Sequence, residues 1–153
     1  HPSYLSLLIT PEINSNVAWK YKFVVLSKIF SIPLVTNMKP ILKDVKEIQL
    51  SKVEMEGAKD AYMAWLIDDR DAPVSFAMRI FRIKPGGRIP IHTHWYYHEI
   101  YCLEGEGRVK VGDEEFILRA GMVAYVPPDV PHSYENTGEK DWVFLCMIPL
   151  KKD

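Results

Sequence analysis

The stretch from Gly86 to Gly105 reads Gly-Gly-Arg-Ile-Pro-Ile-His-Thr-His-Trp-Tyr-Tyr-His-Glu-Ile-Tyr-Cys-Leu-Glu-Gly. It places His92, His94 and His98 within seven residues. A strand points alternate side chains to one face, so His92 and His94 share a face. His98 has the same parity and joins them if the strand is regular or bends through one turn. Imidazole is the commonest neutral metal ligand. A lone strand histidine is ordinarily a hydrogen-bonded or surface residue, and a His-x-His pair also arises by accident. Three at this spacing form a stronger pattern, because each buried imidazole needs a partner. The fourth internal histidine, His132, follows the turn Pro127-Pro128-Asp129 and Pro131.

On both sides of this stretch the chain reads as β structure. No long segment carries apolar residues at i, i+3, i+4 and i+7. Short runs rich in Val, Ile, Tyr and Phe recur between turn residues. Candidate strands lie at 18–26, 46–54, 61–67, 75–84, 97–104, 107–111, 115–119, 122–126 and 141–148. Pro85-Gly86-Gly87 is expected to separate two of them, and Gly112-Asp113 to turn a hairpin. Many short strands with close turn signals mean an all-β sandwich or barrel. No internal repeat is visible.

A chain of 153 residues is the size of one domain. Its hydrophobic content of 48% and charged content of 25% are those of an ordered globular protein. The charge balance, 19 − 20 = −1, argues against nucleic acid as a partner. No apolar run approaches the ~20 residues of a membrane span, and Lys28 interrupts the best candidate. Cys102 and Cys146 are too few for a disulfide framework, so a reducing, cytoplasmic location is expected. Low Asn and Gln counts, four and one, with many Lys and Glu hint at a thermophile. Charge divides the chain: residues 1–37 hold four charges, Glu12, Lys20, Lys22 and Lys28, and residues 38–153 hold the other 35. Residues 1–37 are therefore read as an N-terminal extension, possibly an added or exchanged strand, before a barrel domain over 38–153.

The sequence resembles the cupins. Gly86, five residues, His92-x-His94 and Gly105 match the first cupin motif. Gly121, five residues, Pro127, His132 and Asn136 match the second, with Asp129 where the motif has glycine. Fifteen residues separate Gly105 from Gly121, as in the smallest cupins. The resemblance implies a double-stranded β-helix, or jelly-roll, barrel. It also implies a metal site, and here two residues compete for the slot usually filled by Glu. Three residues stand between His94 and His98 and six between His98 and Gly105; for Glu99 the counts are four and five. The two spacings together favour His98, like the four-histidine branch of the small cupins. The expected ligands are His92, His94, His98 and His132, with Glu99 in reserve.

Four imidazoles suit one divalent transition ion per chain. Mn or Fe comes first and Ni, Cu, Co or Zn also fit. Six-coordinate Mn or Fe leaves two adjacent positions for a chelating substrate and dioxygen. Many one-domain metal cupins are dioxygenases, so the resemblance implies a dioxygenase-like oxidoreductase acting on a small organic molecule. A non-catalytic binding or sensing cupin and a metal-dependent isomerase are the alternatives, because fold analogy does not fix the reaction. Strand parity puts Arg79, Phe81 and Ile83 on one face, and Phe144, Cys146 and Ile148 on one face of the last strand. Arg79 on an apolar face needs an anion or carboxylate partner, and is a candidate for orienting a substrate anion. Phe144 and Cys146 are pocket wall or core. Trp95, Tyr96 and Tyr97 frame the pocket mouth or a contact between copies. A homodimer is the expected assembly, because open sheet edges invite pairing.

Overall fold

The computed structural model describes residues 40–71 and 75–150. The expected extension 1–37, with its candidate strand at 18–26, lies outside the described residues. A single-turn 3-10 helix, Val45–Glu47, opens on Asp44, whose side chain accepts from the Lys46 backbone N–H at 2.9 Å. Nine strands follow among the described residues. They are β1 (Ser51–Lys52), β2 (Lys59–Ile67), β3 (Phe76–His92), β4 (His98–Glu104), β5 (Glu106–Val111), β6 (Glu114–Arg119), β7 (Val123–Val126), β8 (His132–Glu135) and β9 (Trp142–Pro149). They form one antiparallel sheet ordered β6-β5-β8-β3-β9-β4-β7, with β2 also on β3 and β1 on β2. Wrapped on itself, the sheet is a nearly closed all-β barrel of the jelly-roll type.

One strand sets the geometry. The seventeen residues of β3 pair with β9 from Phe76↔Pro149 to Ile83↔Trp142, then with β8 from Arg88↔Glu135 to His92↔His132. Pro85-Gly86-Gly87 was expected to end a strand here. Instead the strand runs on and the three residues sit in a bulge. Opposite it, β2 advances from Lys59 to Ala61 while β3 moves from Arg88 to Ile83. Gly86, at φ 72°, supplies the left-handed residue that the bulge needs. The expected strand at 46–54 is also corrected. Ile48 and Leu50 pack against a small outer cluster of Ala64, Leu66, Ile80 and Val143, but only Ser51 and Lys52 enter the ladder. Strand β8 is not recognisable from sequence because it has only four residues, between the proline turn that ends at Pro131 and the turn Asn136-Thr137-Gly138. Its alternation is clear in the fold: His132 and Tyr134 are buried and Glu135 is exposed.

The core lies inside the barrel, where Trp142, Phe144, Ile83 and Leu118 are its largest fully buried side chains. Burying such side chains contributes roughly 1.5–3 kcal/mol each. The Trp142 indole N–H donates to Cys102 Sγ at 3.3 Å, and its ring lies flat against the backbone of β5 at Gly107. The motif asparagine, Asn136, is 1% exposed and staples the barrel end. Its Nδ2 donates to the carbonyls of Ile83 (2.7 Å) and Lys140 (2.8 Å), and its Oδ1 accepts from Gly138 N–H at 2.9 Å.

A Cβ on residue 107 would run into the Trp142 ring, which has no free volume to retreat into. Gly107→Ala is expected to cost at least ~1–3 kcal/mol of stability. The shift of the urea unfolding midpoint measures it, with Gly121→Ala, where no atom lies within 4 Å but φ is 84°, as the control for backbone strain alone.

Candidate metal centre

The histidines come from three strand ends that the barrel brings together. His92 closes β3, His132 opens β8 directly across from it, and His94 follows in the loop that leads to β4. A ligand nitrogen of each lies within 4.8 Å of the others. Each ring is fixed in the same way: Nδ1 lies 2.8 Å from a backbone carbonyl two residues away, Pro90 for His92, Tyr96 for His94 and Val130 for His132. A carbonyl only accepts, so Nδ1 carries the proton and Nε2 keeps its lone pair. The Nε2 atoms of His94 and His132 are buried with no hydrogen-bond partner. Orphaned, convergent lone pairs on neutral imidazoles are what a divalent transition ion requires, so these residues fit the group.

Burial pushes all these histidines toward the neutral form. His92 and His94 titrate below the usual imidazole range, His132 is pushed down to about 4, and desolvation followed by the nearby Arg79 charge takes His98 to about 2. The ordinary imidazole range, near ~6.5, is therefore the wrong place to expect protons to compete for the folded site.

His98 differs from the other three. It opens β4, is 4% exposed, and its ring centroid lies 4.6 Å from that of His94 and 5.0 Å from that of His132. Its nitrogens, however, have other neighbours. Arg79 Nη2 lies 3.4 Å from His98 Nε2 and, as a guanidinium, only donates. His98 Nδ1–H then donates to the Tyr134 hydroxyl at 2.7 Å. Three of the four expected histidines thus share a cluster of ligand atoms, with His98 beside it. Glu99 is exposed and pairs across β4–β7 with Tyr125.

The other expected pocket residues face the same space. Arg79, Phe144 and Cys146 line a cavity of about 820 Å³ together with His92, His94 and His98. Phe144 and Cys146 are core as well, at 1% exposure each. Burial holds the Cys146 thiol above its ordinary range. Of the aromatic run, Tyr96 stacks on His94 with centroids 3.6 Å apart, while Trp95 is exposed. Two positions with no role in the sequence reading support the site. Tyr134 positions His98, and its i+2 parity with His132 was the available signal. Asp129 holds the left-handed conformation, φ 59°, that the motif's glycine normally supplies, and its N–H donates to the His94 carbonyl at 2.8 Å. Aspartate tolerates that conformation better than most residues.

Comparison with known proteins supports the fold and the family. The family model "Cupin domain" matches residues 79–148. An uncharacterised protein of Methanocaldococcus jannaschii is 37% identical over 65 residues, covering 42% of this chain and 52% of that protein. The chain thus spans about half the length of that relative. The oxalate-binding protein of Thermotoga maritima is 35% identical over 100 residues, covering 63% of this chain and 82% of that protein. Among solved structures, the polyketide cyclase RemF from Streptomyces resistomycificus is similar with a TM-score of 0.66 and 28% identity, covering 72% of this chain and 81% of that one.

Two outcomes follow from the site. In a Mn(II) titration, His94→Ala and His132→Ala are each expected to weaken binding by more than the ~10–100-fold typical of a lost supporting contact. His98→Ala is expected to weaken it as well, and Glu99→Gln to leave it unchanged; the reverse order for the last two would assign the fourth position to the carboxylate. The second outcome concerns pH. The unfolded chain protonates these histidines near ~6.5, whereas the folded chain does not, so the unfolded state binds more protons below that pH. Stability of the metal-free protein should therefore fall as pH drops, by roughly 2–4 kcal/mol between about pH 7.5 and 5, chiefly through His98 and His132. Urea unfolding at the two pH values measures it, and a flat profile would mean that the imidazoles are not buried neutral.

Proposed function

This chain belongs to the cupin family, and from that premise we propose that it is a mononuclear metal-dependent oxidoreductase, dioxygenase-like, acting on a small organic molecule. The observation that carries the reading is the pair of buried, unpartnered Nε2 lone pairs of His94 and His132 converging with His92, beside a cavity of about 820 Å³ that His92 and His94 line. His92, His94 and His132 would hold the ion, with His98 as fourth donor. Mn or Fe is the proposed metal, because imidazole donors suit a redox-active ion and its +2 charge favours an anionic substrate oxygen. When bound, the ion supplies a Lewis acid and a redox centre.

The chain's own residues do the rest. The carbonyls of Pro90, Tyr96 and Val130 hold the three rings in one tautomer. Tyr134 holds the His98 ring, and Arg79, which only donates, sets its tautomer. Phe81 and Phe144, stacked with centroids 5.3 Å apart, keep water from the inner wall. Both cysteines are free thiols and buried, in keeping with the proposed cytoplasmic location. Among the described residues no helix is long and apolar enough to cross a membrane. A second copy of the chain is the proposed assembly partner. Supporting it, β4 and β7 expose Tyr101, Leu103, Val123 and Tyr125 at the end of the sheet path.

The test is oxygen uptake by Mn- or Fe-loaded protein with a panel of catechols, enols and β-diketones. At least one class is expected to give substrate-dependent consumption that His94→Ala removes. Turnover without oxygen would replace the reading with an isomerase, and binding without turnover would replace it with a sensing module. Elemental analysis of protein purified from its native host identifies the metal.

A further inference from the structure

The cavity wall holds a buried cation with no counter-charge. Arg79 is 7% exposed, and none of the ion pairs among the described residues includes it. Its neighbour of opposite parity on β3, Arg82, faces out and pairs with Asp141 at 3.1 Å. Arg79 Nη2 donates to Cys146 Sγ at 2.9 Å and approaches His98 Nε2 at 3.4 Å, and Arg79 Nε is buried with no partner at all. Neither contact supplies a carboxylate: one partner is an imidazole nitrogen and the other a cysteine sulfur. The guanidinium lies 5.5 Å from the Trp65 ring and 5.1 Å from the Phe81 ring. Such contacts offset part of the desolvation of a buried charge but leave the fork of N–H donors unfilled.

The surroundings narrow the anion that fills it. The one acidic residue lining the cavity, Glu54, is exposed at its rim. A planar fork with a free Nε edge selects a carboxylate, which accepts two parallel N–H bonds. A single buried guanidinium calls for a single carboxylate. The lining also includes the apolar and aromatic Phe81, Phe144, Ile89, Met55 and Met63, its other cations, Lys52 and Arg70, are exposed and Arg70 already pairs with Asp68, and the volume lies within the ~300–1,000 Å³ of small-molecule sites. A two-carbon dianion would leave most of that wall unfilled.

We propose that Arg79 is the receptor for the ligand's carboxylate and that the ligand class is a monocarboxylate with a flat, apolar body. The inference rests on the reading of this cavity as the ligand site and does not involve the redox step. The carboxylate would stand one imidazole, His98, away from the three converging Nε2 atoms.

The test is calorimetric titration of chelator-treated, metal-free protein with benzoate, its neutral isostere benzamide, and oxalate. Benzoate is expected to bind at least ~10-fold more tightly than benzamide, about 1.4 kcal/mol, and more tightly than oxalate. Arg79→Gln should lose that preference while keeping the wild-type circular dichroism. Arg79→Lys should retain only part of it, because charge remains and the fork is gone. Benzoate should also perturb tryptophan fluorescence through Trp65 in the wild type and not in Arg79→Gln. Equal binding of benzoate and benzamide, no benzoate binding, tighter oxalate, or undiminished benzoate affinity in Arg79→Gln would each overturn the proposal. If Arg79→Gln does not fold, the wild-type ligand series still decides. Because metal and oxygen are absent throughout, failure here is separable from failure of the oxidoreductase reading.

Discussion

The constraint on which this barrel depends is the burial of neutral imidazole. An uncharged histidine has one donor and one acceptor nitrogen, and burying either unsatisfied costs free energy. In His92, His94 and His132 the donor is satisfied locally, by a carbonyl two residues away at 2.8 Å. That bond uses only backbone already fixed by the strand ends, so it settles tautomer and ring angle together. The Nε2 atoms of His94 and His132 are buried without partners, and their desolvation cost is concentrated at one point in the barrel. A cation there would offset it. The same arrangement makes the folded site resist protons, chiefly because burial disfavours the charged ring and secondarily because the Arg79 charge is nearby.

The rest of the fold can be traced to holding those strand ends in register. His92 and His132 face each other only because β3 continues past Pro85-Gly86-Gly87. The bulge takes up four residues there and lets the strand change partners, from β9 to β8. Asn136 ties the end of β8 back to this bulge: its N–H donates to the Gly87 carbonyl at 3.0 Å, and its own carbonyl accepts from Gly86 at 3.1 Å. Gly86, Gly87 and Asn136 of the sequence motifs thus have structural roles, and the histidines between the motif ends form the candidate metal cluster. Asp129 shows how the motif tolerates departure. What the position requires is a left-handed residue whose N–H reaches the His94 carbonyl, and aspartate meets that requirement at φ 59°.

These relations explain what was legible in the sequence. Side-chain parity has period two, so the shared face of His92 and His94, and that of Arg79 and Phe81, followed from counting. The all-β class followed from short Val-, Ile- and aromatic-rich runs. Turn residues were less informative, because proline and glycine mark a bulge as readily as a strand end, and only the partner strand distinguishes them. Ile48 and Leu50 misled for a related reason: apolar residues alternate wherever one face is covered, whether or not the backbone joins a ladder. Tyr134 and Trp65 could not be assigned roles from sequence, since each acts across strands on a residue distant in the chain, His98 and Arg79 respectively.

The position of His98 joins the two halves of the cavity. Its ring is within reach of the three-histidine cluster on one side, and its Nε2 accepts from Arg79 on the other. That contact is long for a hydrogen bond and sets a fixed cation against a nitrogen suited to a metal. Two positive centres cannot both use one lone pair. The conflict is relieved if an anion occupies the guanidinium, because a carboxylate is a far stronger acceptor than a neutral imidazole and would draw Nη2 toward itself. Nε2 of His98 would then be released toward the cluster, so anion binding and completion of the metal shell favour one another. By linkage that preference is reciprocal: whatever factor the anion adds to metal affinity, the metal adds to anion affinity. On the proposed reading, the availability of His98 as a fourth donor would depend on what Arg79 holds.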